Sequence, residues 1–402
     1  MILQKRCREC EKNIKKIDSR ISKGIVRIVF ILEMPEVWNS CKTVFEAFEN
    51  MENAEAYILA VPKFPNTKLN LAYEFASIQY KNVINGYDED TEEWFDLFAF
   101  GPDYIFYTRP YQREYPDYLR SRVTSRYAKN CYIPYGYEFV TGYHIEVEYN
   151  LNSLPYLYMI FCEGISSKSY CNRLVGNTSK KIFDMGYPRF DLLNKFSIDR
   201  NDGIITTILW TPRWSSEKRV NDGTSFFKFI EPLLELFQRD DFSNTNLIIR
   251  PHPLMFPTFI KNKIMDLEDV SKLFDRVDQI KNISFDKTSD YLLTAHKADL
   301  IISDFSSMLI EFLMMNKPII YCGKTDSFDA TGIKINSVMY HVDKDEGIIK
   351  CIERIMKQGD DMYEKRCKVI TELGNGLDGR IGEKIAGCIM DDYNKSHLIN
   401  KN

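Results

Sequence analysis

The stretch from His296 to Cys322, HKADLIISDFSSMLIEFLMMNKPIIYC, admits few structures. Asp299 to Ser303 is an apolar run with short polar flanks and predicts a strand. Asp304 to Ser307 predicts a tight turn, and Ser307 to Met315 a helix that Asn316, Lys317 and Pro318 stop before a second apolar strand. Two almost wholly apolar strands joined in this way suit a parallel sheet covered by helices on both faces. The turn then lies at the carboxyl edge of the sheet, where ligands of open α/β folds bind. Ser306 and Ser307 fall where the helix is expected to begin, and free backbone N–H groups at the positive end of a helix dipole favour an anion such as phosphate. The plainer reading is that Ser306 caps the helix.

A chain of 402 residues predicts two or three domains, each able to bury a sizeable core. Its 53 Lys and Arg against 57 Asp and Glu leave a net charge of −4, which gives no bulk field to attract nucleic acid. No apolar run reaches the ~18 residues of a membrane span, and the amino terminus lacks the apolar core of a signal peptide. The expected location is cytoplasmic, or peripheral on the inner face of the cell membrane. Ten cysteines are scattered, and the close pair Cys7 and Cys10 has no second pair or nearby histidine to complete a zinc site, so they are expected to be reduced and mostly buried.

Residues 1 to 24 carry eight basic side chains against three acids, with Ile14, Ile17 and Ile21 at helical spacing. This basic amphipathic helix either docks on the body through its isoleucines or lies on anionic lipid. A first α/β series follows over 25–198. Ile25 to Leu32, Ala54 to Val61, Tyr104 to Tyr107, a short run from Cys131 and Tyr156 to Cys162 predict strands. Helices are expected near Cys41 to Met51, Leu69 to Tyr80, Asp90 to Phe98 and Tyr115 to Ala128. The alternation argues for a doubly wound domain.

The polar link Asp199 to Gly203 marks a domain boundary. A second series over 199–380 runs through the strand Ile204 to Trp210, the helix Phe226 to Phe237, the strand Asn246 to Ile249 and a helix near Tyr291 to Lys297 into the opening stretch. Helices are expected at Glu346 to Lys357 and Met362 to Leu373, and a terminal helix from Ile381 to Asn394, in the segment 381–402, packs back on the first domain.

Every strand of a parallel sheet points its carboxyl end to one edge, so the residues just after the strands of the second domain become neighbours. They are cationic and hydroxylic: Thr211-Pro212-Arg213-Trp214-Ser215-Ser216, then Arg250-Pro251-His252-Pro253, then Asp304-Phe305-Ser306-Ser307. Two arginines, a histidine stiffened between prolines and two serines make a diphosphate cradle. Glu311 lies on the same helix face as Ser307, where a carboxylate can accept both hydroxyls of a ribose or simply face solvent.

The set Gly186-Tyr187-Pro188-Arg189-x-Asp191, the Leu209 to Trp214 strand and turn, Arg250-Pro251-His252-Pro253, Ser303-Asp304-Phe305-Ser306-Ser307 and Lys317-Pro318-Ile319-Ile320 resembles the CDP-glycerol glycerophosphotransferases that make teichoic acids and related capsular polymers. The likeness covers roughly residues 155 to 325. It implies the GT-B architecture, two doubly wound Rossmann-like domains facing a central cleft, with the donor on the second and the acceptor approaching from the first. It also implies His252 and Ser306-Ser307 at the donor phosphates, and Glu311 is similar to the ribose-binding acid of many GT-B glycosyltransferases.

The chain departs from that family at one place. A His-Gly pair after a first-domain strand, whose histidine acts as base in the family, is here matched by Tyr135-Gly136. A phenol of pKa ~10 is a poor base at neutral pH, and His144, Glu138, Glu163 or Glu33 are the alternatives. The expected reaction is attack of a hydroxyl, on a polymer or lipid-linked acceptor, at the β-phosphorus of CDP-glycerol or CDP-ribitol, with CMP leaving. Arg213, Arg250 and His252 would hold the shifting charge, and Thr211, Ser215, Asp304, Ser306, Ser307 and Glu311 would complete the donor site. No acidic cluster has metal-ligand spacing, so no metal or other cofactor is expected. The other readings are a GT-B glycosyltransferase using a nucleotide sugar, and a catalytically silent nucleotide-binding partner in a polymer-assembly complex.

Overall fold

A computed structural model describes residues 2–20, 24–63, 69–150, 152–176, 178, 180–193, 205–215, 223–288, 291–342, 347–373 and 377–399. The expected link 199–203 lies outside these, as do Ile21, Ile204, Ser216 and Glu346. The chain forms two compact units, Met1–Lys195 with Asn375–Asn402, and Phe196–Gly374.

The first unit is built on seven parallel strands: β1 (Val26–Leu32), β2 (Ala54–Ala60), β3 (Val83–Asn85), β4 (Tyr104–Tyr107), β5 (Lys129–Tyr132), β6 (Met159–Cys162) and β7 (Lys181–Asp184), in the order β3-β2-β1-β4-β5-β6-β7. Strands β4 and β6 are buried at every residue, as their unbroken apolar runs require in a sheet covered on both faces. The chain winds outward from β1 through β2 to β3, then returns to the other side of β1 for β4. This reversal opens a crevice at the carboxyl ends of β1 and β4.

The helix α1 (Ile2–Asp18) buries Cys7, Cys10, Ile14 and Ile17 and packs on the turn Leu154–Tyr156 and the helix Ile165–Val175. Ile14 and Ile17 are therefore taken up by the protein's own body, as the docked reading expects, while Ile21 lies outside the described residues. The terminal helix Ile381–Ile399 crosses α2 (Lys42–Glu49). A Cβ at Gly382 would run into the backbone oxygen of Thr43, so only glycine permits that approach.

Asp392 of the terminal helix ties the amino edge of the sheet together. One carboxylate oxygen accepts from Lys129 Nζ (2.8 Å) and Tyr104 OH (2.7 Å), and the other accepts from Tyr158 OH (2.7 Å) and Lys181. Lys129 also pairs with Asp18 of α1 at 2.6 Å. Gly186-Tyr187-Pro188-Arg189-x-Asp191 is architecture of the same kind, because Asp191 accepts the backbone N–H groups of Ile381 (3.0 Å) and Gly382 (2.8 Å) and so caps that helix.

Two expected helices are corrected. Over Asp90 to Phe98 the chain makes a hairpin, Tyr87–Asp88 against Glu93–Trp94, and only Leu97–Phe100 is helical. The Asp88 side chain accepts the N–H groups of Asp90 and Thr91 and closes a turn in place of a helical start. Over Tyr115 to Ala128 a single helix is replaced by short 3-10 turns and Ser121–Thr124. Pro116 interrupts it, Gln112 takes the N–H and hydroxyl of Ser121, and Tyr107 donates to the Leu119 carbonyl.

The second unit repeats the plan with β8 (Thr207–Thr211), β9 (Asn246–Ile249), β10 (Ile283–Phe285), β11 (Leu300–Ser303), β12 (Ile319–Tyr321) and β13 (Tyr340–His341), all parallel in the order β10-β9-β8-β11-β12-β13. Its core gathers Trp210, Phe226, Leu233, Phe259, Ile302 and Ile352 between the sheet and its helices. Here the winding reverses between β8 and β11, so the ends of these two strands flank the crevice. The helix after β11, α3 (Leu309–Met314), starts two residues later than the sequence suggests. Among the described residues no helix is long and apolar enough to cross a membrane.

Candidate active site

At the reversal point of the second unit, Thr211 Oγ1 and Ser303 Oγ, the last residues of β8 and β11, meet at 2.8 Å. Asp304 follows β11 and is 1% exposed. One of its oxygens accepts the backbone N–H of Arg213 (2.8 Å), the backbone N–H of Ser225 (3.0 Å) and the Thr224 hydroxyl (3.2 Å). Burial pushes its pKa up and these donors oppose the rise. Asp304 thus braces the walls of the crevice with one oxygen, while the other, Oδ1, is buried without a hydrogen-bond partner.

Arg213 emerges from that brace with its guanidinium over the Phe305 ring, 5.2 Å from the centroid. Its Nη1 is buried and has no hydrogen-bond partner. Burial lowers its pKa, an effect that Asp304 partly offsets. A buried guanidinium N–H without a hydrogen-bond partner is costly, and an anion at this position would satisfy it.

His252 stands beside it in the loop after β9, fixed by its own N–H to the Pro212 carbonyl at 3.2 Å and with its ring 6.2 Å from that of Trp214. Desolvation and the charge of Arg213 lower its pKa to about 4, so the imidazole is neutral at physiological pH. Nδ1 accepts the backbone N–H of Leu254 at 3.1 Å. In the neutral ring the proton therefore resides on Nε2, which becomes a donor suited to a phosphate oxygen.

The remaining expected donor residues divide. Arg250 pairs with Asp286 at 2.6 Å and touches Thr288 Oγ1 at 3.3 Å, so its charge is compensated within the unit and it braces β9 against β10. Ser306 Oγ accepts the backbone N–H of Met308 at 3.2 Å in the turn before α3, whose N-cap residue is Met308 and not the expected Ser306. Ser307 is half-buried, and its hydroxyl has no partner among the described residues. Glu311 does not face solvent: it is buried and accepts the Tyr291 hydroxyl. Ser215 is buried at the end of a described segment.

In the first unit the reversal point holds Glu33, just after β1, and Arg109, just after β4. Glu33 Oε2 lies 2.6 Å from Arg109 Nη1, which also pairs with Glu114 at 2.9 Å. Glu33 Oε1 is buried without a partner. Burial drives the Glu33 pKa up to about 7 against the pull of Arg109. Tyr135 sits one strand further along, its hydroxyl 3.1 Å from that of Tyr111, whose ring lies under Arg109. Burial and nearby carboxylates raise the pKa of Tyr135 above its ordinary value, away from that of a base.

Glu163 is saturated by Tyr149 OH, Ser167 Oγ and the Glu138 N–H, which makes it structural. His144 is half-buried on the helix Tyr143–Glu148, and Glu138 is half-buried in the preceding loop. The sequence reading missed Arg109, Glu114 and Tyr111 as members of the cluster. The strand order β2-β1-β4 would have singled out Arg109, since it follows the strand that flanks the crevice. Among the described residues no three His, Cys, Asp or Glu side chains are gathered to hold a metal ion.

Two Rossmann-like units, each with its strand winding reversed at a crevice, define the GT-B class of fold. The same architecture occurs in UDP-GlcNAc 2-epimerase from Neisseria meningitidis bound to UDP-GlcNAc (12% identity, 91% of this chain and 100% of that chain covered, TM-score 0.59). It also occurs in the wall teichoic acid polymerase TagF (15%, 98% of each chain, TM-score 0.57) and in a substituted TagF soaked with CDPG (14%, 98% of each, TM-score 0.59). No curated protein matches the sequence. The chain belongs to the CDP-Glycerol:Poly(glycerophosphate) glycerophosphotransferase family, whose model matches residues 147–391, and it is a transferase of that type.

Proposed function

We propose that this enzyme moves an alditol phosphate, glycerol phosphate first among them, from a CDP-alcohol to a hydroxyl of a cell-surface glycopolymer or its lipid-linked precursor. The acceptor oxygen bonds to the β-phosphorus, the bond from that phosphorus to the bridging oxygen breaks, and CMP leaves with the electron pair. The observation that carries this reading is the buried, unpartnered Nη1 of Arg213 beside the neutral His252. Phosphoryl transfer through a loose transition state asks for positioning and charge stabilisation more than covalent chemistry. A fixed guanidinium and an Nε2–H supply both without reorganising as charge shifts to CMP. Ser307 offers a further donor, and Glu311 is the candidate for the ribose.

Of the first unit's candidates for the proton acceptor, Glu33 has a proton affinity matched to neutral pH, and Tyr135 does not. CMP release from CDP-glycerol, measured beside CDP-ribitol and a UDP-sugar, tests the proposal. Release of CMP from a CDP-alcohol supports it, whereas turnover of the UDP-sugar alone, or none at all, defeats it.

A further inference from the structure

The exposed face of α1 is patterned. At 3.6 residues per turn, Lys5, Arg8, Lys12, Lys15 and Lys16 fall within an arc of about 100°, opposite the side that buries Cys7, Cys10, Ile14 and Ile17. All five are exposed, and none is ion-paired with a described residue. From Lys5 to Lys16 they extend about 16 Å along the axis at ~1.5 Å per residue. The acids of the helix do not interrupt the strip, since Glu9 and Glu11 fall at its margins and Asp18 turns to Lys129. This row of uncompensated positive charge stands on a chain of net charge −4, so it is a local feature and not the outcrop of a basic protein.

We infer that the strip is a docking rail for a phosphodiester polyanion, the growing polymer itself, which it holds by charge while the chain end reacts. The inference rests on the proposed function, since it takes the acceptor to be a polymer of alditol phosphates. Three observations favour this occupant over a lipid surface. The apolar side chains of the inner face of α1, Cys7, Cys10, Ile14 and Ile17, are already buried where the helix packs on the turn Leu154–Tyr156 and the helix Ile165–Val175. What remains is narrow and linear, with Lys5, Arg8, Lys12 and Lys15 three to four residues apart and Lys16 beside the last, which suits a flexible chain with regularly recurring charges. Finally, α1 is held to the body by its buried face and by Asp18 at Lys129, so the rail is rigid and little ordering entropy is lost on binding. Neutralising such a chain releases its counter-ions, which makes the affinity fall steeply with salt.

The test uses the full chain and a synthetic glycerol phosphate oligomer long enough to span the strip, with uncharged polyglycerol as control and no donor present. The wild type should bind the oligomer alone, and log K should fall with log salt by ~0.7 per cation engaged. Replacing Lys5, Arg8, Lys12, Lys15 and Lys16 together by Gln should weaken binding at low salt by at least about tenfold and flatten that slope. CMP release with a short soluble acceptor should be unchanged, because none of the five belongs to the site. Replacing the four lysines by Arg keeps the charge and should retain binding, which separates loss of charge from damage to the helix. Equal affinity and slope in the Gln variant would overturn the inference, as would wild-type binding to phosphatidylglycerol vesicles without binding to the oligomer. A failed oligomer assay beside intact CMP release refutes the rail alone, whereas absent CMP release refutes the proposed function.

Discussion

The carboxylate of Asp304 accepts the backbone N–H of Arg213 at 2.8 Å but leaves Nη1 of the same residue's guanidinium without a hydrogen-bond partner. Asp304 thus shapes the loop through the backbone, and under the proposed function Nη1 of Arg213 is the group that meets the donor diphosphate. Arg213→Leu should therefore lower affinity for CDP by ~10–100-fold, the worth of a charge-assisted hydrogen bond. The unliganded variant should melt no lower than the wild type, because an uncompensated buried charge has been removed. Calorimetry and thermal melts with and without CDP check both halves.

His252 is expected to act as a neutral donor. With a pKa near 4 it carries no charge across pH 5.5 to 8, so the rate profile should show no limb from this residue in that range. His252→Ala should reduce kcat by ~10²–10³. His252→Gln, whose amide N–H can stand in for Nε2–H, should lose less. Equal losses in the two variants would point to a role in proton transfer.

Glu33 predicts the opposite behaviour. Its folded pKa of about 7 exceeds the ~4.3 of an unfolded glutamate, so the native state holds a proton that the unfolded state has released between those values. Its contribution to stability therefore falls as pH rises from about 4 to 7. Glu33→Gln should remove that decline and, if Glu33 is the base, also remove an activity limb that rises through pH 7. Melting curves and kcat over pH 5 to 8 read the two effects separately.

Asp392 carries the terminal helix. Asp392→Ala leaves Lys129 buried beside Tyr104 with one of its two carboxylate partners gone, which should cost ~3–5 kcal/mol in urea unfolding. Its folded pKa lies near 2, below the ordinary aspartate value. The stabilisation is then complete above pH ~4 and lost as pH falls towards 2. Loss of the acid-dependent part in Asp392→Asn is the second check.

How much of this was legible depended on whether a residue's partner is near in sequence. The strand Asn246 to Ile249 and the helix Tyr291 to Lys297 have the bounds their own apolar patterns predict. The three cationic turns at the second sheet's edge followed from strand polarity alone. The partners of Arg250 and Glu311 were hidden, because Asp286 follows a different strand and Tyr291 lies on another helix. Asp191 could not be understood from its motif, since the amides it caps are at Ile381 and Gly382. The helix Leu267–Asp278 was missed although Asp266 and Asp269 form a local capping box, a signal that was available.

Transfer of an alditol phosphate with CMP as the leaving group is tested most directly by phosphorus NMR of the full chain with CDP-glycerol and a glycerol phosphate oligomer. CMP and new phosphodiester resonances should grow together in equal amounts, both strongly slowed in His252→Ala. CMP accompanied only by free glycerol phosphate, or a CDP-glycerol spectrum unchanged by the folded enzyme, would contradict that transfer.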